Sequence, residues 1–187
     1  MQTLVAGLVI FFAAHAFAMC RPQRDRLVAR LGPLAYRGVF SLVSLAGFVL
    51  IVKGYAHAPV ITVWTPPAWM RHVTMTLMLP VFVLFAAAYV PGHIKARVKN
   101  PMLMGLKTWA TAHLLANGHL AAMLLFASFL VFGVVDLVAV KRSGRSPVVA
   151  APRAVFDVIA VVAGLGVYAL FVVWAHAHLI GRPLLLH

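Results

Sequence analysis

The sequence predicts an all-α integral membrane protein, a bundle of about six transmembrane helices with both termini outside (periplasmic). Three observations predict it. The chain has 187 residues of which 64% are hydrophobic, at a mean hydropathy of +0.99. Apolar runs near the ~20 residues needed to cross a bilayer recur along its length, about 2–19, 38–57, 71–91, 102–117, 120–140 and 154–180. Basic residues alternate between the loops.

Each run reads as a helix because lipid offers no partner to an open backbone group, and nothing alternates in the manner of a barrel strand. No linker, repeat or low-complexity segment interrupts the chain, so residues 1–187 read as one domain. The first run lacks a basic leader region and is followed by further spans, which argues against a signal peptide. Before the second run, residues 23–36 suit a short amphipathic surface helix rich in arginine.

The loops orient the bundle. The first carries Arg21, Arg24, Arg26, Arg30 and Arg37. The third carries Lys95, Arg97 and Lys99, and the fifth Lys141, Arg142, Arg145 and Arg153. The second has no charge before Arg71, and the fourth, "NGH", has none. The odd-numbered loops therefore face the cytoplasm. Trp64 and Trp69, with Pro66 and Pro67, suit an interfacial belt and a rigid turn in the second loop.

Sixteen Lys and Arg against three acids give a net charge of +13. In a chain with almost no soluble surface this charge sets topology and meets anionic lipid, and nucleic acid is no expected partner. Arg153 and Asp157 stand i,i+4 at a helix start and read as a structural pair. Asp136 sits one turn before Lys141 and Arg142, near the interface. A single cysteine, Cys20, excludes an internal disulfide and any CxxC pair, and no C-x-x-C-H for covalent haem occurs. Signatures of nucleotide-binding, α/β-hydrolase and zinc-protease sites are absent too.

Nine histidines remain. An ionisable residue within a span marks a candidate site, because placing it there is costly. On this topology His57, His72, His119, His176 and His178 lie toward outer helix ends, and His113 in the outer half of its helix. His15 lies deeper, while His93 is cytoplasmic. A neutral imidazole can ligate haem iron or another metal, or carry protons. The alternative is an interfacial imidazole bonded to water or a headgroup, the expected state of His57, His93, His119 and His187. His176 and His178 are two apart, so at most one faces the core. His113 and Asn117 are i,i+4 on one face, which lets Asn117 orient the imidazole or cap helix-end carbonyls. Gly118 reads as the C′ stop of that helix. Lys107, on the same helix, reaches toward the cytoplasm or pairs with an anion such as a haem propionate.

The segments "YRGVFSLVSLAGFVLIVKGY", "WTPPAWMRHVTMTLMLPVFVLFAAAYVPG", "KNPMLMGLKTWATAHLLANG" and "LLFASFLVFGVVDLVAVKR" resemble the NnrU family of bacterial membrane proteins, from about His15 to Arg142. That family is named for a protein tied to nitrite and nitric oxide metabolism. It shares its domain with 15-cis-ζ-carotene isomerase, an integral membrane enzyme with histidine-ligated, non-covalent haem b. The resemblance implies the bacterial inner membrane, haem b, and His15 and His113 as the best matches to the ligand-bearing motifs, with His72 and His176 as further candidates. It implies either action on a lipophilic substrate or a redox role. A non-enzymatic accessory protein of a nitrite or nitric oxide reductase is the alternative. Two positions depart from the family pattern: Asn100 stands where a histidine is usual, and His119 where an aspartate is usual. A more distant likeness to membrane methyltransferases implies S-adenosylmethionine, but their Arg-His-Pro block and glutamates are missing here.

Overall fold

The computed structural model describes residues 1–144, 151–181 and 184; Arg145 and His187 lie outside the described residues. The described chain is all-α. Its helices are α1 (Gln2–Met19), α2 (Arg21–Leu31), α3 (Pro33–Ala56), α4 (Met70–Ala87), α5 (His93–Val98), α6 (Pro101–Ala116), α7 (Leu120–Arg142), α8 (Ala154–Leu170) and α9 (His176–Ile180). A π-helical turn, Phe171–Ala175, joins α8 to α9 without a break.

Five of these stretches are long and apolar enough to cross a membrane: α1, α3, α4, α7 and the continuous run Ala154–Ile180. The sixth expected span, α6, has 16 residues. At 1.5 Å per residue it reaches about 24 Å, short of the ~30 Å hydrocarbon thickness. Pro101 at one end and the turn at Asn117 and Gly118 at the other limit it. The surface helix also differs from expectation. It covers Arg21–Leu31, because Gly32 adopts φ +81° and Pro33 starts a new helix five residues before the expected span.

The chain forms two compact units, Met1–Pro66 with Asn117–Phe132, and Pro67–Ala116 with Gly133–His187. In the first, α1 and α3 pack antiparallel through glycines. A methyl group on Gly54 would collide with the backbone at Thr3 and Leu4. One on Gly47 would stand 2.8 Å from the Phe11 nitrogen, and one on Gly7 2.6 Å from that of Ile51. Gly47 and Gly54, seven apart, share one face of α3. Lipid tails are as apolar as leucine, so burial alone cannot hold two spans together; close backbone approach supplies dispersion contact instead. Leu4, Leu8, Ile51 and Ala121 form the core around this contact.

In the second unit α4 is the common partner of α6 and α8. Gly105 on α6 meets Phe85, and Gly164 on α8 meets the backbone of Phe82 and Val83. The Tyr168 hydroxyl donates to the Met75 carbonyl at 3.1 Å, and the Phe82 ring contacts those of Tyr168 and Phe171. Thr74 Oγ1 donates to the Ala112 carbonyl at 2.8 Å and ties α4 to α6.

The third and fifth loops meet in this unit. The Asp157 carboxylate accepts the backbone N–H groups of His93 (3.0 Å) and Ile94 (2.9 Å), capping α5. Its Oδ2 also lies 2.8 Å from His93 Nδ1, and the Arg153 N–H donates to the Pro91 carbonyl at 3.2 Å. The expected Arg153–Asp157 pair is thereby replaced. The carboxylate satisfies orphan donors of another helix, while the Arg153 guanidinium lies over the Phe156 ring at 5.7 Å. In the first unit, likewise, the uncharged second loop pairs with the uncharged fourth: Thr62 bridges His119, and Leu120 N–H donates to the Ile61 carbonyl at 2.8 Å. Basic loop meets basic loop and neutral meets neutral, as the alternation of charge requires.

Two measurements check this packing. Gly54→Ala should destabilise the detergent-solubilised protein by on the order of 1–3 kcal/mol through overpacking, whereas Gly38→Ala, whose methyl meets nothing within 4 Å, should raise stability. Thermal unfolding of both variants reads the contrast. Asp157→Ala should release α5, seen as new protease cleavage within residues 91–99, and Arg153→Ala should not.

Candidate functional site

The intramembrane histidines are held in one recurring way. His15, His113 and His178 each place Nδ1 near the carbonyl oxygen of an aromatic residue four positions earlier. The distances are 2.7 Å to Phe11, 2.9 Å to Trp109 and 2.8 Å to Trp174. A carbonyl only accepts, so Nδ1 carries a proton in each. The aromatic ring supports the imidazole beside it, with centroids 4.2, 5.2 and 4.7 Å apart respectively. The i,i+4 spacing stacks both side chains on one helix face, and alanines occupy the neighbouring positions. Such a mount fixes tautomer and ring plane, the condition for a metal-ligating histidine.

His113 and His176 share one unit. Both are half-buried, and they lie within electrostatic range of one another. His176 owes its direction to the π-helical turn: its N–H donates to the Phe171 carbonyl, five residues back. That extra residue changes the angular phase of the helix just ahead of His176. His178, two further on, is exposed. Only one of the pair faces inward, as their spacing requires.

The other candidates are placed differently. His15 lies in the first unit, half-buried among Phe11, Phe40 (5.2 Å) and Phe132 (5.7 Å). His72 is exposed in the first turn of α4. Lys107 is half-buried with its stem against Gly133 on α7, 3.0 Å from where a methyl would stand. Six residues from His113, it is turned about 120° away around the helix. Asn117 directly follows Ala116, the last residue of α6.

Gly118 does follow the helix end, but for another reason than a left-handed C′ turn. Its φ is not positive. The Trp64 carbonyl occupies the place of a β-carbon, and the Gly118 carbonyl accepts from Val63 (2.8 Å) and Trp64 (3.2 Å). His119 beside it is part of this tie rather than a solvated bystander, with its Nδ1 3.4 Å from Thr62 Oγ1.

Among the described residues no three His, Cys, Asp or Glu side chains cluster for a metal ion. Two imidazoles alone are too few donors for a bare metal ion, so a group bound there would have to bring donors of its own. The carbonyl-anchored mount and the turn ahead of His176 were not anticipated from sequence. The mount had a signal, "WATAH" at 109–113 against "WAHAH" at 174–178; the π-helical turn had none.

Five span-length apolar helices define a multi-pass α-helical membrane protein, and two of its half-buried histidines, His15 and His113, sit on aromatic mounts. The family model of NnrU protein matches residues 3–184, and the chain belongs to that family. No curated protein and no solved structure matches it.

The role of Gly118 can be checked directly. Gly118→Ala forces the Trp64 carbonyl aside and should cost on the order of 1–3 kcal/mol. Gly166→Ala, which meets open space, should cost nothing. Thermal unfolding followed by tryptophan fluorescence distinguishes the two.

Proposed function

We propose that this chain binds haem b through His113 and His176 in the bacterial inner membrane. There it acts on a lipophilic substrate, either as an isomerase of the carotenoid-isomerase type or as a redox partner in nitrogen-oxide metabolism. One observation carries the reading: two half-buried imidazoles share one unit within electrostatic range, and one of them is anchored through Nδ1 by the Trp109 carbonyl. The donor set suits a porphyrin, which needs only axial ligands from the protein. Bound haem, held by His113 and His176, would supply a redox-active iron.

The protein's own part is positioning. The Trp109 carbonyl draws on the Nδ1 proton and raises the basicity of Nε2. The π-helical turn aims His176, and Thr74 holds the Ala112 carbonyl next to His113 in register with α4. His15 carries the same mount on α1, in the other unit.

The absorption spectrum of the detergent-purified protein tests this. A Soret band is expected, lost in His113→Ala, weakened or shifted in His176→Ala, and unchanged in His178→Ala. Loss of the band in His15→Ala but not in His176→Ala would reassign the second ligand. A folded protein that takes up no haem under reducing conditions, yet co-purifies a reductase subunit, would replace this reading with the accessory role.

A further inference from the structure

A basic cleft lies where α5 gives way to α6. Its volume is about 230 Å³, and it is lined by Ala88, Lys95, Lys99, Asn100, Pro101, Met102 and Leu103. Two ammonium groups serve it and no acid lines it. Lys95 is half-buried, and its Nζ donates to the Ala88 carbonyl at 2.7 Å, leaving two further N–H donors. Lys99 is fixed one turn away by its N–H to the Lys95 carbonyl at 2.8 Å. It is also the one non-glycine residue with positive φ (+64°) among the described residues. Such a backbone conformation is costly for a side-chain-bearing residue and tends to mark ligand clamps. The nearby carboxylate does not neutralise the lysines, because Asp157 is engaged by the start of α5 and His93.

The walls are of the opposite character. Pro101, Met102 and Leu103 line the cleft, and Met102 is 38% exposed. Lys95 and Lys99 belong to one of the basic loops, at the ends of apolar helices. A ligand matching both parts has an anionic head and an apolar body.

We propose that this cleft binds the phosphate headgroup of an anionic phospholipid, with Lys95 and Lys99 on the phosphate oxygens and the acyl chains against Pro101, Met102 and Leu103. The site is separate from the histidines and does not depend on haem.

Native mass spectrometry of the full chain released from micelles containing equal phosphatidylglycerol and phosphatidylcholine tests it. Two lysines at a membrane surface correspond to a preference of about thirtyfold for the anionic lipid, roughly fivefold for each. Lys95→Gln with Lys99→Gly should abolish the preference, and the Lys141→Gln, Arg142→Gln control should keep it. Lys99→Gly alone retains the left-handed backbone and should unfold no earlier than the parent while losing about fivefold in preference. This variant decides the matter if Lys95→Gln fails to fold. Equal retention of the two lipids, an undiminished preference in Lys99→Gly, or an equal loss in the control pair would each overturn the proposal. Displacement of bound lipid by millimolar inorganic phosphate would identify free phosphate as the ligand and overturn the lipid assignment.

Discussion

Hydrocarbon offers no hydrogen-bond partner, and the polar side chains of the spans show how the chain answers that constraint. Thr76, Thr108 and Ser128 each turn back to a carbonyl four residues earlier in their own helices, at 2.9, 3.0 and 2.7 Å. His15 and His113 do the same through Nδ1. Thr74 and Tyr168 reach carbonyls on neighbouring helices instead. An unpaired polar group in this environment is expensive, so these hydroxyls and imidazoles are pinned to carbonyls within reach, whereas the buried hydroxyls of Tyr36 and Ser44 on α3 have no partner. For a hydroxyl this is only a means of hiding polarity. For an imidazole it has a chemical consequence, because satisfying one nitrogen decides what the other can do.

The same solvent removes the usual reason for helices to associate. The first unit answers with Gly7, Gly47 and Gly54, the second with Gly105 and Gly164. Each lies where a methyl group would strike a neighbouring helix. Polar ties then add register: Thr74 on the Ala112 carbonyl holds α6 beside α4 one residue from His113, and Tyr168 on the Met75 carbonyl holds α8 one turn from Phe171, where the π-helical turn begins. The elements that position the two imidazoles are thus clamped close to the imidazoles themselves.

The helices were legible because hydrophobic length is a strong signal, and five of six spans stand as read. The sixth, α6, falls short through a difference of a few residues that apolar composition does not register. Loop charge was legible for the same reason, as a property of composition. Pairing was less so. Arg153 and Asp157 satisfy the i,i+4 rule, but the carboxylate goes to the N–H groups of His93 and Ile94, some sixty positions away. A local rule cannot weigh that competition. Gly118 shows the converse: the residue was noticed and its place at the helix end was right, but a glycine serves equally for a positive φ and for a close approach.

Within the site, the candidates were found by type and depth, and their grouping was not. His15 and His113 look alike in sequence, each an imidazole four residues after an aromatic in an alanine-rich stretch. Their mounts are indeed alike. What separates them is company. His15 has phenylalanines around it, whereas His113 has a second imidazole whose approach depends on a π-helical turn. A turn of that kind leaves no mark in hydropathy, since Phe171, Val172, Val173, Trp174 and Ala175 would sit as well in an ordinary helix. It sacrifices regular i→i−4 hydrogen bonding for one residue of added phase. In lipid, where backbone hydrogen bonds matter most, such an irregularity is kept only if what it aims is worth the loss. It stands immediately ahead of His176, the one histidine of the 176/178 pair that faces inward.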